Sequence, residues 1–164
     1  LALLRAARDA GLHTCMETSG LCPAKALLAT RDVVDLYLYD VKDMDPAMHR
    51  RHTGVDPARI LANLRELDAA GACIRLRAPV VPGFNDRDDH FRGLAELAAS
   101  LSGCEGIEVM PYHGLGSGKL ARLGLAPPAA SMPETPSDET VSEWLDRIEA
   151  FGGRVLNERG AASQ

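Results

Sequence analysis

Four short apolar runs in this chain each end in side chains that can do chemistry. The first ends in Glu17-Thr18, and the second ends in Asp40, with Lys42 two residues on. The third carries Arg75 and Arg77, and the fourth runs into Tyr112-His113. Residues two apart on a strand share a face, so Asp40 falls with Lys42 and Arg75 with Arg77. When strands run parallel, such groups collect at the strands' C-terminal ends, where α/β proteins place their sites. The rim then offers carboxylates, an ammonium, a guanidinium and an imidazole. A zwitterionic ligand suits that mixture. Asp40 or Glu17 can accept from an ammonium or from sugar hydroxyls. Lys42 or Arg77 can hold a carboxylate, the arginine in a two-pronged fork. His113 can donate to a heterocycle or stack on it. The local alternative is an Asp40–Lys42 ion pair with Arg77 lying along the rim. Lysine is scarce in this chain, occurring only at 25, 42 and 119, and the last two follow strands.

Other candidate motifs carry less. Gly114-Leu115-Gly116-Ser117-Gly118-Lys119 lacks the spacing of a phosphate-binding P-loop. His49 and His52, three apart in a cationic stretch, read as an exposed helical face rather than a metal site. No serine stands in a nucleophile-elbow context. Cys15, Cys22, Cys73 and Cys104 include no Cys-x-x-Cys pair, and no metal site is assigned to them. The net charge of −5 and the lack of a basic stripe argue against nucleic acid as the partner. No apolar run reaches membrane-spanning length, and the expected location is the cytoplasm.

The elements that position these groups alternate between strand and helix. Strands are expected at 12–18, 33–40, 73–81, 107–110 and 154–157. Helices are expected at 1–10, 23–30, from Asp45-Pro46, from Asp56-Pro57 to Gly71, at 86–101 and from Ser137. Asp-Pro pairs and Ser137 are helix-start signals, and Gly71 is a stop signal. Ile60, Leu64 and Leu67, then Phe91, Leu94, Leu97 and Leu101, then Val141, Trp144, Leu145 and Ile148 recur at helical spacing and form core stripes. Between 114 and 136 lies a Gly- and Pro-rich segment. Strands alternating with helices imply an α/β fold with parallel pairing.

In order along the chain, several segments resemble the glycyl-radical enzyme activating proteins, radical S-adenosylmethionine (SAM) enzymes akin to the pyruvate formate-lyase activating enzyme. They are His13-Thr14-Cys15-Met16-Glu17-Thr18-Ser19-Gly20, Leu38-Tyr39-Asp40-Val41-Lys42-Asp43-Met44-Asp45-Pro46 with His49 and Thr53-Gly54, Arg77-Ala78-Pro79-Val80-Val81-Pro82-Gly83-Phe84-Asn85-Asp86, and Met110-Pro111-Tyr112-His113-Gly114-Leu115-Gly116 with Lys119 and Leu123-Gly124. The resemblance implies the C-terminal part of a partial (β/α)6 TIM-like barrel over residues 1–157, followed by a frayed tail at 158–164. It implies SAM held against a [4Fe–4S] cluster and reductively cleaved. The resulting radical takes a hydrogen atom from a glycine of a partner glycyl-radical enzyme, with flavodoxin or ferredoxin as electron donor. By the same resemblance Asp40, Lys42, Arg77 and His113 hold SAM. Glu17, Thr18 and Asp40 lie near its amino group and a monovalent-cation site.

One part of the pattern is missing. The family's cluster is held by Cys-x-x-x-Cys-x-x-Cys, and none of the four cysteines here supplies it. The Gly-Gly-Glu segment of the family is absent as well. The chain opens on Leu1 in a stretch that already reads as helix, without an N-cap. The expectation is therefore a C-terminal portion that carries the SAM-holding rim, is inactive alone, and exposes a strand edge at 14–17 and an uncovered sheet face. The alternative is a non-catalytic α/β binding module that contacts a partner protein.

Overall fold

A computed structural model describes residues 1–114 and 133–158. Lys119, Leu123-Gly124, most of the Gly- and Pro-rich segment and the tail from 159 lie outside the described residues. The alternating pattern of Leu36-Tyr37-Leu38-Tyr39-Asp40 and of Ile74 to Val80 suits a strand with two unlike faces. The strands are β1 (Cys15–Thr18), β2 (Leu36–Asp40), β3 (Ile74–Val80) and β4 (Cys104–Pro111). They form one sheet in the order β1-β2-β3-β4, every pair parallel.

Helices connect and cover them: α1 (Ala2–Asp9), α2 (Ala24–Leu28), α3 (Pro46–Thr53), α4 (Ala58–Ala69), α5 (Asp88–Ser100) and α6 (Asp138–Ala150). The start signals at Asp45 and Ser137 hold, whereas at α4 the N-cap is Pro57 rather than the expected Asp56. Asp45 accepts from the amides of Ala47 and Met48, ahead of Pro46. Ser137 accepts from the amide of Thr140. Asp56 accepts from the amide of Ala58. Leu64 and Leu67 of α4, Phe91 and Leu94 of α5, and Trp144 and Ile148 of α6 are buried with Tyr37, Tyr39, Ile74, Leu76, Ala78 and Val80 of the sheet. Parallel sheets require such cover on a face. On the opposite face stand Glu17, Leu38, Asp40, Arg75, Arg77, Pro79 and Glu108. They are exposed or only half-buried.

Several boundaries differ from the sequence reading. Val33 belongs to a 3-10 turn, Arg31–Val33, so β2 begins only at Leu36. β1 is shorter than expected, because Thr14 is spent on other contacts. Its amide and hydroxyl both donate to Asp35, and the hydroxyl also reaches the Val33 carbonyl. β4 is longer, beginning at Cys104 rather than 107. The expected strand at 154–157 is a single parallel bridge between Ile107 and Val155. Beyond it the Asn157 side chain takes the place of backbone, accepting from the Val109 amide and donating to its carbonyl. His49 is a correction too. It is buried rather than solvated, with Nδ1 3.0 Å from the Val55 carbonyl and 3.1 Å from the Thr53 hydroxyl.

Two close approaches fix the β1 end of the rim. Gly20 has φ +69°, and a Cβ there would lie 1.6 Å from the Tyr39 hydroxyl, so only glycine fits. Tyr39 donates to the Ile60 carbonyl at 2.7 Å. Burial pushes its phenol well above the usual range, so it stays a donor.

Candidate functional site

Register places the rim groups in two rows across the sheet. Glu17 stands beside Leu38, which stands beside Arg75. One step further on, Asp40 stands beside Arg77, which stands beside Glu108. These rows border a groove of about 270 Å³ lined by Glu17, Asp40, Arg77, Met110, Tyr112 and His113, among others. Four consecutive strand ends thus contribute to a single concavity, as the sequence reading expected.

Arg77 is the centre of it. Its side chain is only 13% exposed. Nη1 lies 2.6 Å from Glu17 Oε2, and Nε lies 3.7 Å from Glu108 Oε2. Nη2 donates to the Met110 sulfur at 3.2 Å. Neither Nε nor Nη1 has a partner with hydrogen-bond geometry among the described residues. Buried N–H groups are nearly always satisfied, and leaving one unmet costs about 1–3 kcal/mol. A carboxylate entering the groove could accept from Nε, and at Nη1 it would share the guanidinium with Glu17.

Asp40 and Lys42 form the ion pair foreseen as the local alternative, with Nζ 3.3 Å from Oδ2. Both readings coexist here, because Asp40 also lines the groove. Lys42 turns toward a neighbouring cavity of about 170 Å³, which it shares with His52, Thr53, Pro79, Val81, Phe84 and Asn85. Thr18, like Lys42, is an expected residue whose side chain does not line the groove. It pairs in register with Tyr39, on the helix-covered side. Its hydroxyl accepts from the Gly20 amide and closes the turn after β1.

Sequence reasoning missed Glu108 and Met110. Their alternation within β4 with Ile107 and Val109 was the available signal, since the two valine-like residues are buried and the two others are not. It also missed Asn85, which sits 5% exposed between two strand ends.

The donor set fits SAM as a zwitterionic nucleoside: unmet guanidinium N–H groups for a carboxylate, carboxylates for an ammonium or hydroxyls, and an exposed imidazole for the base. It does not fit an iron–sulfur cluster. Among the described residues no three His, Cys, Asp or Glu side chains gather to hold a metal. Burial also raises the thiol pKa of Cys73 and Cys104, which disfavours the thiolate that iron needs.

No protein-family model matches the chain. The chain is 35% identical over 151 residues to the choline trimethylamine-lyase activating enzyme of Oleidesulfovibrio alaskensis, covering 90% of itself and 47% of that protein. It is 30% identical over 154 residues to the pyruvate formate-lyase 1-activating enzyme of Escherichia coli K12, covering 93% of itself and 62% of that protein. The chain therefore spans about half to three-fifths of the relatives it matches. Among solved structures, a domain of the pyruvate-formate lyase-activating enzyme from Bacteroides vulgatus superposes with a TM-score of 0.74 at 24% identity, over 94% of this chain and 86% of that one. That likeness establishes the α/β fold. No described helix is long and apolar enough to cross a membrane.

Proposed function

We propose, from the premise that the homologues of this chain are glycyl-radical enzyme activating enzymes, that it is the cofactor cradle of a radical SAM activase. The partner of such a protein is a glycyl-radical enzyme, and its electron donor is a flavodoxin or ferredoxin in the cytoplasm. Bound SAM supplies, after one-electron reduction, the radical chemistry that removes a hydrogen atom from a backbone glycine of the partner. In this reading residues 1–157 are a C-terminal portion of the barrel. The cluster that reduces SAM is held elsewhere, and the chain alone does not cleave the cofactor.

The observation that carries the reading is Arg77, a nearly buried guanidinium whose Nε has no hydrogen-bond partner among the described residues, at a groove bordered by Asp40, Glu17 and His113. Arg77 binds and orients the methionyl carboxylate through its fork. Asp40 accepts from the amino group or a ribose hydroxyl, and Glu17 adds negative charge on the amino-group side. Lys42, paired with Asp40, fixes the direction of that carboxylate. His113 lies against the base. Thr18 contributes through the turn that it closes.

Titration of the chain with SAM, followed by calorimetry, tests this. Saturable one-to-one binding is expected, weakened by about ten- to a hundredfold in Arg77→Ala, in line with the roughly 1.5–3 kcal/mol of a hydrogen bond to a charged group. Absence of binding to the folded wild-type chain overturns the reading.

A further inference from the structure

We propose that Asn85 is a positioning residue that clamps the Lys42 loop onto the end of β3 and thereby sets the direction of the Lys42 ammonium. The inference rests on the SAM-cradle reading for its purpose, although its geometry does not.

The loop after β2 and the loop after β3 approach each other without regular pairing. The last backbone link between them is the Val41 amide to the Arg77 carbonyl, 2.8 Å. Beyond that point the Asn85 side chain makes the connection. Its Nδ2 donates to the Lys42 carbonyl and to the Pro79 carbonyl, both at 2.7 Å. Its Oδ1 accepts from the Val81 amide at 2.8 Å. All three side-chain hydrogen-bonding positions used are on backbone, and each lies at a residue bordering the groove or the cavity beside it. A carboxamide alone among side chains offers two donors and one acceptor in this planar arrangement.

The clamp acts on one residue in particular. With its carbonyl held, Lys42 has its backbone fixed one residue beyond Val41, and its ammonium reaches back to Asp40 at 3.3 Å. The next residue is held as well. Arg87 places Nη1 and Nη2 on the two oxygens of the buried Asp43, at 3.2 and 3.0 Å. Segment 85–87 thus grips positions 42 and 43 consecutively. Asp43 anchors the loop, while Asn85 fixes the carbonyl of the residue that carries the charge. A side chain on a long flexible stem gains direction only when its root is fixed.

The test compares wild type with Asn85→Asp, which keeps the shape and the Val81 acceptor but replaces both donors with an oxygen facing two carbonyls. Asn85→Ser is a second variant in case the first does not fold. The primary readout needs no cofactor: the rate of Lys42 acetylation by acetic anhydride in the folded protein, with Lys25 on α2 as internal standard. Loss of the clamp should raise the Lys42 rate relative to Lys25 by about threefold or more, since the ammonium then spends less time against Asp40. SAM affinity should fall about fivefold in the same variants. Lys42→Ala should fall similarly, and adding Asn85→Asp to it should cost nothing further. An unchanged Lys42-to-Lys25 ratio in a variant that keeps the wild-type circular dichroism overturns the proposal. So do additive losses of SAM affinity in the double variant. If wild type binds no SAM while the acetylation ratio rises as expected, the clamp stands and the SAM reading falls.

Discussion

The two faces of the β3 strand hold opposite kinds of residue one position apart. Leu76 faces the helices and is fully buried, while its neighbours Arg75 and Arg77 face the other way. On the covered side, Ile74, Leu76, Ala78 and Val80 pack into a single apolar cluster with Phe91 and Leu94. On the open side, Arg75 meets Glu105 at 3.0 Å, and Arg77 lies between Glu17 and Glu108. Both sets ride on the same backbone, so stability and ligand chemistry are separated by nothing more than odd and even numbering. The covered side supports the fold through burial, whereas the open side is free to hold charge for a ligand.

Substitutions that sharpen or break this contrast fall in a definite order. Leu76→Ala removes a fully buried side chain and should cost about 2–5 kcal/mol in urea denaturation, with little change in the SAM affinity of the folded fraction. The next effect tests a buried imidazole on the covered side. His90 is fully buried, and its Nδ1 accepts from the Met44 amide. Burial lowers its pKa to about 4, and Asp43, Arg87 and Asp89 surround it. The folded state therefore keeps it neutral, while the unfolded chain takes a proton near pH 6.5. Its contribution is fully present above pH 6.5 and is lost as pH falls toward 4. Between pH 7 and pH 5 stability should drop by about 2 kcal/mol from this group. His90→Gln should flatten that part of the profile. Tyr39→Phe, which removes the donor to Ile60 on the covered side, should cost about 1 kcal/mol by the same denaturation assay. Smallest is Arg75→Ala on the open side, a partly exposed pair with Glu105, expected to shift stability by about 0–1 kcal/mol. If Arg75→Ala matched Leu76→Ala, the division of labour between faces would be refuted.

Much of this arrangement was legible in the residues themselves. The Tyr37–Tyr39 alternation, the Asp45-Pro46 start and the Trp144–Ile148 stripe each report a local rule that tertiary packing did not override. The rim was legible for the same reason. Glu17, Asp40, Arg77 and His113 sit at strand ends, and parallel topology brings strand ends together. What escaped notice depended on side chains standing in for backbone. Asn157 completes the β4 ladder with its carboxamide, so 154–157 reads as strand but pairs as a single bridge. Asn85 joins two loops in the same manner. His49 reads as solvated in a run of Arg and His, yet it is buried, with Nδ1 against the Val55 carbonyl just beyond α3. Each of these choices requires knowing which loop lies opposite, and no local pattern carries that.

The Asn157 bonds also make the two edges of the sheet unlike. With the Arg154 carbonyl, the Leu156 amide and the Asn157 carboxamide all engaged along Ile107 and Val109, the outer side of β4 is closed to further strands over that stretch. β1 pairs on one side only among the described residues, with β2. Among the described residues the outer side of β1 therefore carries no strand, whereas the outer side of β4 is occupied along Ile107–Val109.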